Sequence, residues 1–121
     1  MKRIATLAAL AMTLASGRAD PLAGRIAGAP VDCIDPSRLN GPDIVDADTI
    51  LYRQSGKRIW VSGPVGQCPS LRTGDTLVVE LYGGRLCRND RFRTITPGIS
   101  IPSGVCRFRA FVPYDRSTPS R

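Results

Sequence analysis

Six arginines in two short stretches carry the clearest chemistry in this chain of 121 residues. Arg85, Arg88, Arg91 and Arg93 fall within nine positions, with Phe92 between the last two. Arg107 and Arg109 stand two apart, followed by Phe111. A guanidinium is charged at any relevant pH and presents a planar fork of donors that matches phosphate, sulfate or carboxylate. Beside aromatic rings the same groups suit single-stranded nucleic acid on an open sheet. Arg88, Arg91 and Arg93, with Arg107 and Arg109, are therefore the candidate binding residues for an anionic partner. Glu80 and Asp90 are the acids that could occupy them instead, which would make this a solvated, ion-paired sheet face.

Catalytic chemistry finds less support, and no catalytic residue is assigned. The chain has no histidine, which excludes histidine-dependent triads and His-ligated metals. Asp43, Asp46 and Asp48 cluster, but Asp46 and Asp48 flank a polar turn, where aspartate serves to hydrogen-bond the backbone. Two carboxylates could hydrolyse a glycan, yet nothing sets a spacing between them. Gly83-Gly84 is not a phosphate loop, because no Lys-Ser/Thr follows. No metal and no cofactor is expected.

Cys33, Cys68, Cys87 and Cys106 form no C-x-x-C pair, so neither a redox dithiol nor a zinc knuckle is indicated. An even count in an exported chain favours two structural disulfides. Three connectivities are open. Because first and last strands often meet when a small sheet closes, the pattern favours Cys33–Cys106 with Cys68–Cys87.

Export follows from the first residues. Met1-Lys2-Arg3 precedes the uncharged run from Ile4 to Ala15, the basic and apolar parts of a secretory signal. That run is too short to span a bilayer. Small residues at Gly17 and Ala19 place cleavage after Ala19, with Gly17 the second choice. Without residues 1–19 the chain keeps 14 basic and 10 acidic side chains, a net charge of +4 in place of +7. Export and this modest charge argue against nucleic acid as the partner.

The elements that must position these groups read as short strands. Residues 20–32 are rich in Gly, Ala and Pro and read as a flexible leader. Ile44-Val45, Thr49–Arg53 and Arg58–Ser62 follow, separated by polar turns. Thr76–Tyr82 alternates, with Leu77, Val79 and Leu81 on one face, expected in the core; Gly83-Gly84 turns it back into Arg85-Leu86-Cys87. Val105–Val112 alternates again, with Phe108 and Ala110 expected in the core and Arg107, Arg109 and Phe111 on the other face; Pro113 ends it. The only helical pattern lies in the signal. The expected fold is all-β, a small antiparallel meander closing into a barrel-like sheet, with a two-sheet sandwich as the alternative. The expected order is signal peptide 1–19, leader 20–32, one β domain 33–114 and a polar tail 115–121.

Ile44-Val45-Asp46-x-x-Thr49-Ile50-Leu51-Tyr52-Arg53, Trp60-Val61, Cys68-Pro69-x-Leu71, Gly84-Arg85-Leu86-Cys87-Arg88 and a late Cys106 together resemble a family of small exported bacterial proteins of unknown function. The resemblance spans roughly Cys33 to Pro113 and implies an envelope location, but no activity and no site. The expectation is thus an exported protein, periplasmic or secreted, acting as a non-enzymatic binding or structural β module. A small periplasmic enzyme or an enzyme inhibitor is the alternative. Its partner would be an anionic envelope component or another protein, and no transmembrane segment is expected in the mature chain.

Overall fold

The computed structural model describes residues 20–55, 58–99 and 101–116. The expected signal peptide lies outside them, as does the tail beyond Arg116. Ten strands make three antiparallel sheets, and no α-helix occurs among the described residues. The large sheet has the order β1 (Arg25–Ala27), β10 (Val112–Arg116), β5 (Arg58–Ser62), β4 (Thr49–Gln54), β3 (Leu39–Asp46). A small sheet pairs β6 (Thr76–Val79), β8 (Arg91–Ile95) and β9 (Cys106–Arg107), and β2 (Cys33–Ile34) pairs with β7 (Leu86–Cys87).

The polar turn joining β3 to β4 forms as its aspartates dictate, with Asp46 Oδ1 accepting the Asp48 N–H at 2.8 Å. Beneath the large sheet, Ile44, Ile50 and Tyr52 pack with Leu71, Leu86, Phe92, Phe108 and Phe111 into one apolar cluster.

Four expectations are corrected. First, the barrel does not close: β3 and β6 end their sheets unpaired. The Thr73 hydroxyl, donating to the Val45 carbonyl at 2.8 Å, ties the loop before β6 to β3. Second, Val105–Val112 is not one strand. Chain 107–109 pairs with the continuation of β5, through Val65 N–H to Arg107 O and Arg109 N–H to Gly63 O. At Arg109-Ala110 the alternation breaks, which lets Phe108 and Phe111 both turn inward, each fully buried and with ring centroids 5.6 Å apart. The chain then resumes as β10, through Pro113. Pro113 is tolerated because its carbonyl and nitrogen face the end of β1, where the carbonyl takes the Gly28 N–H at 2.7 Å and no further ladder bond is needed.

Third, the disulfides are Cys33–Cys87 and Cys68–Cys106. The strand after the Gly83-Gly84 turn does not return along β6; beyond a single bridge, Tyr82 to Arg85, it pairs with β2, which sets Cys87 opposite Cys33. The loop following β5 runs beside β9 and delivers Cys68 to Cys106. Fourth, the leader and tail are partly structured: Arg25–Ala27 pairs with Tyr114–Arg116, so the β domain reaches from β1 to β10. Asp115, expected in the tail, sits in β10, where Arg58 donates to both its carboxylate oxygens at 2.7 and 2.9 Å. Those bonds hold the Asp115 carboxyl below the usual carboxylate range.

Candidate anion-binding surface

β8 is built to present alternate side chains to opposite sides. Phe92 and Thr94 face inward and are buried; Arg91 and Arg93 face outward and are exposed. Thr94 fixes the strand with its hydroxyl donating to the Ser70 carbonyl at 3.0 Å, while its N–H donates to Ser103 Oγ at 2.9 Å. The β8–β9 register then sets Arg107 directly across from Arg91. Two guanidiniums thus share one cross-strand position, an arrangement that repels unless something anionic lies between them.

The acids expected to neutralise this face, Asp90 and Glu80, form no ion pair with its arginines. Asp90 Oδ2 accepts the Cys87 N–H at 2.7 Å, closing the turn into β8. Glu80 lies beside Arg91 through its N–H to the Arg91 carbonyl, but its carboxylate takes the Tyr82 hydroxyl at 3.4 Å. Among the described residues the ion pairs are Arg38–Asp35, Arg53–Asp43 and Arg58–Asp115, all away from the small sheet; none involves Arg91, Arg93 or Arg107.

Arg109 and Arg88 continue the same belt around the corner. The backbone of Arg109 is held on both sides, its N–H on Gly63 O and its carbonyl on Ser62 Oγ, each at 2.9 Å. Its guanidinium lies over Gly63, where a Cβ would come within 2.7 Å of Nη1 and would collide with the Asp48 carbonyl. Glycine at this position is what admits the Asp48 carbonyl. Arg88 is anchored by its N–H to Asp32 O at 2.6 Å, just before Asn89, which takes the left-handed conformation (φ 71°). Arg88 and Arg109 line one open cavity of about 560 Å³ together with Asp48, Pro64 and Val65.

All five sequence-predicted arginines are therefore exposed, with Arg91, Arg93 and Arg107 on the outer face of the small sheet and Arg88 and Arg109 at the cavity. Arg85 separates from them, beside Asp35, Arg38 and Trp60 at a second cavity of about 230 Å³. Sequence reasoning missed two things: that β8 is a strand at all, and that Val78 stands opposite Arg93 on the outer face. The latter was signalled by an apolar residue at a position of the alternation where a solvated face wants a polar one.

Among the described residues no group of three or more Cys, Asp or Glu side chains could hold a metal ion. The arrangement can bind oxyanions by charge-assisted hydrogen bonds from several forks at once. Set against protein-family models, curated proteins and solved structures, the chain matches none.

Proposed function

We propose that this protein is an exported, disulfide-stapled β module that performs no catalysis and binds an anionic partner in the cell envelope through Arg88, Arg91, Arg93, Arg107 and Arg109. The observation that carries the reading is the Arg91–Arg107 pair, opposed across two strands with no carboxylate in ion-pair distance among the described residues. Like charges at directly opposed positions weaken a sheet, so their use here is best understood as a binding requirement. The two disulfides are compatible with an oxidising compartment, and the basic-apolar amino terminus supports export.

Binding to immobilised dextran sulfate tests the reading. It should weaken steeply as salt rises, because exposed charge attraction is screened over about 8–10 Å at physiological ionic strength. The Arg91→Glu/Arg93→Glu variant should lose most of the binding at low salt while its thermal unfolding stays nearly level, since relief of the repulsion with Arg107 is offset by the like charge set beside Glu80. Equal binding by the variant and the wild type would remove this surface from consideration.

A further inference from the structure

The outer face of β6, β8 and β9 interleaves its arginines with apolar side chains left open to solvent. Val78, directly across from Arg93, is 40 % exposed. Val105 immediately precedes β9 and is 45 % exposed; extending the β8–β9 register by one pair brings it beside Arg93. Tyr82, two residues beyond Glu80, is 71 % exposed. Of the nine exposed large hydrophobic side chains among the described residues, six belong to this sheet and its loops.

A surface made only to hold a soluble polyanion gains nothing from valines between its cations. Cations and apolar tips on one face are the composition of a surface that settles into the headgroup region of a bilayer. There the guanidiniums meet lipid phosphates while the apolar ends enter the acyl boundary. A tyrosine, apolar in its ring and polar at its tip, suits the same depth.

We propose that this face docks on an anionic lipid surface, with Arg91, Arg93 and Arg107 on headgroup phosphates and Val78 and Val105 entering the interface. The proposal rests on the anion-binding reading above and names its partner. Co-sedimentation of the protein with vesicles tests it, using phosphatidylcholine alone or mixed with phosphatidylglycerol. The protein should bind the mixed vesicles and not the neutral ones, and Arg91→Glu/Arg93→Glu should lower partitioning by about 30-fold or more. Val78→Ser/Val105→Ser should lower it about tenfold at unchanged charge, with dextran sulfate binding and cooperative unfolding unaltered. Binding to dextran sulfate but not to the mixed vesicles would overturn lipid docking and leave the anion reading standing. Binding to neither would overturn both. Equal binding to neutral vesicles, or an apolar variant that partitions like the wild type, would likewise overturn the docking.

Discussion

Individual side chains in this molecule are constrained in ways that only their three-dimensional neighbours explain. Gly63 is a clear case: the carbonyl of Asp48 and the guanidinium of Arg109 occupy the space that any Cβ would need. Tyr52 is another. It is 4 % exposed, and burial alone pushes its phenol well above its ordinary value. The folded state therefore keeps a proton that the unfolded chain releases near pH 10. The stabilisation is fully present below that pH and is lost as pH rises above it. In urea titrations above pH 10 the wild type should lose about 1.4 kcal/mol per pH unit relative to Tyr52→Phe; parallel pH profiles for the two proteins would refute the assignment. The exposed arginines belong to the same scale. Which arginines to suspect was readable from their density in the sequence, but which acids would leave them alone was not. Asp90 and Glu80 are near in sequence, and only the folded geometry shows that neither carboxylate reaches ion-pair distance of Arg91, Arg93 or Arg107, Asp90 turning to the Cys87 N–H instead.

Strands were legible where alternation and turn chemistry agreed. Thr49–Gln54 and Arg58–Ser62 are where the pattern puts them, within a residue. Alternation failed in Val105–Val112 because it describes one continuous strand, whereas here the chain passes from one sheet to another at Arg109-Ala110 and both phenylalanines turn in. The partner of each strand was not legible, because a tight Gly-Gly turn does not reveal that its second arm leaves for β2. That unknown alone reversed the disulfide assignment. The core assignment on β6 divides in the same way. Leu77 and Val79 pack against the central cluster, with Val79 across from the buried Phe92, but Leu81 lies past the end of the strand and is 46 % exposed. Val79→Asp should cost about 3 kcal/mol or more by setting a carboxylate against Phe92, whereas Leu81→Asp should unfold at nearly the wild-type urea concentration. Equal losses for the two would show that β6 continues to Leu81 in solution.

At the scale of the whole molecule, three small sheets share one apolar cluster, and two disulfides close loops with sequence separations of 54 and 38 residues. Loops of that size stabilise a small domain by about 3–4 kcal/mol each, so reduction should lower the unfolding temperature of the protein markedly. Production of the full chain in a bacterium with a periplasm tests the export proposal together with this frame. The recovered protein should begin near Asp20, gain about two hydrogens in mass per bridge on reduction, and yield Cys33–Cys87 and Cys68–Cys106 peptides on digestion. Recovery of the unprocessed chain from the cytoplasm would count against export, and alkylation of the folded protein would count against the bridges.

The pairing of β1 with β10 sets Arg25 opposite Arg116, so the two ends of the described chain leave the large sheet side by side. In an antiparallel pair the ladder bonds run perpendicular to the strands. Tension applied between these two ends therefore loads the bonds one at a time and peels β1 from β10 like a zipper, instead of shearing the whole ladder at once. The domain should yield at low force when stretched from its ends, with β1 detaching before the core is disturbed. It should also tolerate a tether beyond either of these strands, because both leave the large sheet on its β1 side and not by the arginine-bearing face of the small one.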